Sequence, residues 1–381
     1  MHRAVIFALG TALCAAPLAI PAALHAAPTQ GIKASAVRAH APYKAPLNGY
    51  GQPDLGGMWT NVSMTPESRP ASFGGRAVYT PDEVAKLESA AANEVVVGNQ
   101  SIDPHAPPPK VGGDKLPPGT RPEFAAAGGA VGGYDRGWLD PGSYVMRVGG
   151  EPRTSILTTP NGRAPAFKAG VTGPSYGRGG YGFLGSFDNP ESRSLGERCI
   201  LGFGRNAGPP MLANGFYNND YQIVQSKDTV AILVEMVHDV RMIRLNGTHR
   251  TDGVRPWMGD SIGHWDGGTL VVETTNIPQA EAYHGSWKDL KVTEAFTRVG
   301  VHRLRYKFTI DDPTIWDQPW GGEYEFTTLN GQIYEYACHE GNYALEDMLS
   351  GARAEEAAAA AAAAAKTSTP AHPGPVASIA H

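Results

Sequence analysis

From residue 218 onward one unit recurs: a short run of β-branched and aromatic residues, then a turn built on glycine or a polar tripeptide. The runs at 221–225, 229–238, 240–245, 269–275, 290–299, 303–310, 323–328 and 332–338 read as strands by composition. Asn246-Gly247, Asp266-Gly267-Gly268 and Asn330-Gly331 punctuate them as hairpin turns. Residues 303–310 alternate cleanly. Leu304, Tyr306, Phe308 and Ile310 fall on one face, and Arg303, Arg305, Lys307 and Thr309 on the other, the signature of a half-buried antiparallel sheet. Eight such runs without a helix between them predict a mainly β fold, either a curled antiparallel sheet or a lipocalin-like β-barrel. A barrel of about eight strands can hold one small ligand. Upstream, Gly57-Met58-Trp59 carries the Gly-x-Trp of lipocalin-like first strands, with Trp59 either plugging one end or serving as a core aromatic.

The remaining chain is punctuated rather than periodic, as 47 glycines and 31 prolines in 381 residues require. Thr80-Pro81-Asp82-Glu83 opens one N-terminal helix that runs through Val84 and Leu87 to about Asn93: Thr80 caps it, Pro81 fits its first turn, and the two acids complement its positive end. Residues 101–133 form a long Gly/Pro/Ala-rich loop, either a lid or a disordered segment. Short strands are expected at 143–148 and 154–159, with Asn161-Gly162 as a hairpin turn or simply a strand end. The Gly-rich passage 170–185 lacks the strand-before, helix-after setting of a phosphate loop.

The N-terminus has His2 and Arg3, an apolar run over 4–24, and the small residues Ala26 and Ala27. That order is a signal peptide at 1–27. A flexible leader at 28–53, a single β-rich domain at 54–353 and an Ala-rich flexible tail at 354–381 follow. Periplasmic or secreted localisation is the expectation, with no membrane association once the signal is cleaved. Loss of Cys14 leaves Cys199 and Cys338, which an oxidising compartment favours as a disulfide. The competing reading makes Cys338 a nucleophile beside His339. A net charge of −5 offers no basic surface for nucleic acid or anionic lipid, so the expected partner is a small molecule. Oligomeric state is left open.

Several polar residues fall where alternation expects apolar ones. His238 shares a strand face with Val230, Ile232, Val234 and Met236, and Asp239 and Arg241 follow within three positions. Imidazole, carboxylate and guanidinium so grouped can orient a general acid or base, or can form only an outward Asp239–Arg241 pair. Glu294 interrupts the apolar face of Leu290, Val292 and Phe296, and must there meet a cation or hold its proton. Trp257, Asp260, His264 and Trp265 cluster in a turn-rich segment expected at a barrel mouth as ligand contacts or core closure. His339, Glu340 and Tyr343 follow the last expected strand. No His-x-His or His-x3-His spacing marks a metal site, and no cofactor is required.

Seven ordered stretches carry a resemblance: Arg198-Cys199-Ile200-Leu201-Gly202-Phe203-Gly204, Gly208-Pro209-Pro210, Tyr221-Gln222-Ile223-Val224-Gln225, Glu235-Met236-Val237-His238-Asp239-Val240-Arg241, Trp257-Met258-Gly259-Asp260-Ser261, the 269–276 run, and Tyr336-Ala337-Cys338-His339-Glu340-Gly341-Asn342-Tyr343. Together, over residues 54–353, they resemble a family of exported proteins of soil and aquatic bacteria. The resemblance implies that Cys199 and Cys338 belong to one design, and that His238, Asp239, Arg241, His339 and Glu340 share a patch. It implies no activity, cofactor or substrate. On the residues, the first expectation is an isomerase- or lyase-type enzyme: His238 oriented by Asp239, His339 or Glu340 as partner, and Arg241 steadying an oxyanion. The alternative is a lipocalin-like binding protein for an apolar or aromatic ligand.

Overall fold

The computed structural model describes residues 43–98, 142–171, 187–202, 208–212 and 219–367. The expected signal peptide, most of the leader, the 101–133 loop, nearly all of the 170–185 passage and the end of the Ala-rich tail lie outside them.

Chain order runs β1 (Gly57–Thr60), α1 (Pro81–Gly98), the short ribbon β2 (Arg147–Val148) and β3 (Glu151–Pro152), then β4 (Asp220–Gln225), β5 (Thr229–Val234), β6 (Val240–Leu245), β7 (Asp260–Asp266), β8 (Thr269–Thr275), β9 (Lys291–Gly300), β10 (Arg303–Asp311), β11 (Trp320–Thr328) and α2 (Ala344–Thr367). The mainly β expectation holds: β1 and β4 to β11 close into a barrel in sequence order, with β1 sealing the ring between β11 and β4. All neighbours are antiparallel except β6 and β7. A closed ring of nine strands cannot alternate direction at every step, so one parallel pair is forced. The connection between β6 and β7 therefore returns along the barrel wall instead of forming a hairpin.

Alternation sets the interior. Tyr221, Ile223, Val230, Ile232, Val234, Ile243, Leu270, Val272, Val292, Phe296, Leu304, Tyr306, Phe308, Ile310, Tyr324 and Phe326 are all buried. Each such side chain contributes about 1.5–3 kcal/mol on burial. Trp59 is buried too, and its indole N–H donates to the Leu55 carbonyl at 3.0 Å.

Four expectations need correction. The strand expected over 229–238 stops at Val234. Residues Met236–His238 form a 3-10 turn in which Val237 takes a left-handed φ of 55°, rare for a β-branched residue, so the alternation that grouped His238 with the apolar face does not reach it. The turn-rich segment around Asp260 is strand β7. Its Gly263 reads as a breaker but marks close packing, since a Cβ there would lie 2.9 Å from Ile243 Cγ2. Residues 332–338 are not a strand. With β1 closing the barrel no free edge remains to receive them, and they run over the surface. The strands expected at 143–148 and 154–159 reduce to β2, β3 and isolated bridges such as Leu157 to Gly322.

Candidate binding site inside the barrel

Arg241 of β6 and Glu294 of β9 meet in the barrel centre. Both are essentially without solvent contact, and their side chains form a two-pronged pair, Nη1 to Oε1 at 2.9 Å and Nη2 to Oε2. The interruption in the β9 apolar face thus has the first of its two possible causes, a cation. Arg241 also donates from Nε to Ser261 Oγ at 3.1 Å and from Nη2 to Thr274 Oγ1 at 2.8 Å. Burial opposes the Arg241 charge, but the Glu294 carboxylate outweighs it and holds the guanidinium above its ordinary pKa. A buried charge persists only when its partners are this complete. Neither the outward Asp239–Arg241 pair nor an Arg241 open to an oxyanion is present.

The network continues upward. Tyr306 donates its hydroxyl proton to Glu294 Oε1 at 2.7 Å and accepts from the backbone N–H of Met211 at 2.8 Å. Tyr324 donates to the Met211 carbonyl at 2.9 Å. Asn61 Nδ2 donates to both Tyr324 and Tyr221, at 3.1 and 3.2 Å. Burial, and secondarily the nearby Glu294 carboxylate, push the Tyr306 phenol far up. Burial likewise raises Tyr324, with the neighbouring Tyr221 second, so both remain donors. Met211 itself is fully buried, in the segment Gly208-Pro209-Pro210-Met211-Leu212, whose first two peptide bonds to proline are cis. The backbone N–H and C=O of Met211, which belong to its two flanking peptide groups, therefore sit among the barrel tyrosines, each held by a different phenol.

At the end of the barrel where β5 turns into β6, Asp239 Oδ2 accepts from the Gly202 N–H at 3.3 Å. Burial pushes the Asp239 carboxyl up to about 7, against the pull of that N–H and with a further push from Glu281. Here too Cys199 and Cys338 form the disulfide that their even number suggested, Cα atoms 5.6 Å apart, which rules out a free Cys338 nucleophile. The bridge ties the 332–343 segment to the loop around Cys199. Asn342 Nδ2 lies 3.2 Å from Cys199 Sγ, and the Tyr334 N–H donates to buried Glu235 Oε1 at 2.9 Å.

Other expected site residues scatter. His339 and Glu340 sit exposed in a turn beside the disulfide and line no interior space, and Tyr343 is 71% exposed. The His238 side chain lies outside the described residues. Trp257 is 44% exposed, His264 is exposed, and Trp265 is half-buried against the core. Asp260 is buried at the start of β7, bonded to Arg244 Nη1 at 2.8 Å, the Arg250 N–H at 2.8 Å and His249 Nδ1 at 3.0 Å. Burial resists its charge, yet those donors together hold its carboxyl down at about 2. Among the described residues no three His, Cys, Asp or Glu side chains gather as a metal-ligand set, and no helix is long and apolar enough to cross a membrane.

Sequence reasoning missed Asn61, Met211, Tyr221, Tyr306 and Tyr324 as site residues. Tyr306 stood on a recognised apolar face and Tyr221 and Tyr324 within expected strands, where a phenol reads as an aromatic filler. Asn61 and Met211 come from irregular segments that no periodicity locates. Fold and site together define a closed β-barrel whose polar centre is stoppered by its own chain. No protein-family model and no curated protein matches the sequence. Among solved structures, the crystal structure of a mutant of the fluorescent protein UnaG matches at 13% identity and a TM-score of 0.21, over 29% of this chain and 72% of that one. A likeness of that size carries no functional weight.

Proposed function

We propose that this chain is an exported, lipocalin-like binding protein, and that its ligand takes the place of Met211 in the barrel centre. The observation that carries this reading is the clasp on the Met211 backbone N–H and carbonyl by Tyr306 and Tyr324. A ligand with an apolar or aromatic body and an adjacent donor and acceptor meets the same two phenols, above the Arg241–Glu294 floor that fixes Tyr306. Asn61 supports it: the residue is 4% exposed, and its Oδ1 accepts no hydrogen bond among the described residues, leaving an acceptor for a second donor. The Cys199–Cys338 bridge supports an oxidising compartment.

Titration with N-phenyl-1-naphthylamine, a neutral aromatic amine that brightens in apolar surroundings, tests the reading. Met211→Gly weakens the stopper, so this variant binds the probe at least about tenfold more tightly than wild type, corresponding to roughly 1.4 kcal/mol. Cooperative urea unfolding confirms that the variant is folded. A folded Met211→Gly protein that binds the probe no better than wild type overturns the proposal.

A second reading, acid–base chemistry at the barrel mouth, is favoured by the Asp239 carboxyl, whose raised pKa near 7 suits proton transfer at neutral pH. It ranks below binding because His339 and Glu340, its expected partners, stand on the surface.

A further inference from the structure

Among the described residues three arginines are almost wholly buried, and two of them have a carboxylate: Arg241 has Glu294 and Arg193 has Glu197. Arg69 has none among the described residues. It is 3% exposed, and its guanidinium donates only to neutral oxygens: Thr154 Oγ1 at 3.0 Å, the Pro160 carbonyl at 3.0 Å, and at 3.4 Å the Gly74 carbonyl and Ser155 Oγ. A second cation, Arg153, stands close enough to depress the Arg69 pKa further, after burial itself. Isolated buried cations are costly, and a second arginine turned toward the same space adds to the cost of the unanswered Arg69 charge.

That space is a cleft of about 170 Å³ on the outer side of β11, walled by Arg69, Arg153, Ser155, Thr158, Thr159 and Glu323. Glu323 is the one acid of the wall, held by Arg153 Nη2 at 2.9 Å, and the exposed Glu151 outside the wall lies 3.7 Å from the same nitrogen, so the charge left without an acid is that of Arg69. Arg153 Nε is buried and has no hydrogen-bond partner among the described residues. The wall hydroxyls are committed, Ser155 Oγ to the Leu157 carbonyl at 2.9 Å, Thr158 Oγ1 to the Gly321 carbonyl at 3.2 Å and Thr159 Oγ1 to the Arg163 carbonyl at 2.7 Å, which leaves the guanidinium groups as the donors on offer. Gly162 makes the arrangement possible. Its φ is +65°, and a Cβ there would lie 2.8 Å from Arg69 Cζ, so only glycine lets the chain pass behind the guanidinium.

We propose that the Arg69–Arg153 cleft binds a small oxyanion, a carboxylate or a tetrahedral phosphate or sulfate, as the missing counter-charge. Guanidinium forks suit such anions, and the volume admits little more than the anion and a few waters. The site is separate from the barrel centre and does not depend on the reading given to it.

Thermal unfolding of the full chain in sodium acetate, phosphate and sulfate, against sodium chloride at matched ionic strength, tests the proposal. Wild type gains midpoint temperature saturably with at least one of the three oxyanions. Arg153→Gln, at a partly exposed position, loses about tenfold or more in apparent affinity. Glu323→Gln, which frees Arg153 from its competing acid, gains affinity, and Arg353→Gln on α2 behaves as wild type. Acetate preference marks the carboxylate of an organic ligand, and phosphate or sulfate preference a free tetrahedral ion; either supports the site. A wild-type midpoint that follows ionic strength alone, or an Arg153→Gln or Glu323→Gln protein that responds as wild type does, overturns it.

Discussion

Glu294→Leu removes the acceptor for Arg241 and for Tyr306 in one step. Arg241 cannot shed its proton, and at 2% exposure it cannot reach water. Breaking one side of a buried pair costs about 3–5 kcal/mol, and the stranded Tyr306 hydroxyl adds about 1 kcal/mol or less, because it still accepts from Met211. With a urea m value on the order of 3 kcal/mol/M, a loss of about 4 kcal/mol lowers the midpoint by about 1.3 M. Equilibrium urea unfolding by circular dichroism, with the disulfide intact, measures it. The double variant Arg241→Met with Glu294→Leu removes both charges and leaves Ser261 and Thr274 bonded to each other at 2.8 Å. It therefore returns to within about 1–2 kcal/mol of wild type, as replaced buried pairs commonly do. A single variant that loses less than about 1 kcal/mol, or a double variant less stable than either single, refutes the picture of a dry, mutually dependent pair.

Reduction of Cys199–Cys338 frees a crosslink spanning 139 residues, for which chain entropy gives about 4–5 kcal/mol of lost stability; urea midpoints of the oxidised and reduced protein compare it directly. Asp239 contributes a pH dependence with a definite sign. Its folded pKa, near 7, lies above the unfolded value, so the folded chain binds the proton more tightly and stability falls as pH rises from about 4 to 7. Asp239→Asn flattens that stretch of a stability–pH curve, and an unchanged slope contradicts the assignment. Gly263→Ala pushes a methyl against Ile243 and the Val271 carbonyl, lowering stability by about 1–3 kcal/mol on the same urea scale, whereas Gly267→Ala in the exposed turn does so only through its left-handed φ.

How much of this was legible in the sequence depended on whether a residue obeyed a period. The alternation of 303–310 located Tyr306 and Phe308 on the barrel face, and the same rule made Glu294 conspicuous. Nothing in residues 235–239 announces a turn, because the chain reverses there through Val237 and not through glycine or asparagine. The reverse error came at Gly263, where glycine suggested loop but serves close packing in β7. Residues 332–338 have strand composition, yet strand formation needs an open edge, and whether one exists is a property of barrel closure. The pairing of Arg241 with Glu294 joins residues 53 apart in sequence, and the Arg69 cleft joins four separate segments. Such meetings follow from register and irregular loops, which local pattern does not encode.

Backbone amide exchange at Met211, followed by NMR with and without saturating N-phenyl-1-naphthylamine, probes the stopper itself. If the probe replaces the Met211 backbone between Tyr306 and Tyr324, exchange at the Met211 amide accelerates while the ladder amides of β10 stay protected. Probe binding that leaves the Met211 amide as slow as before contradicts a ligand site in the barrel centre.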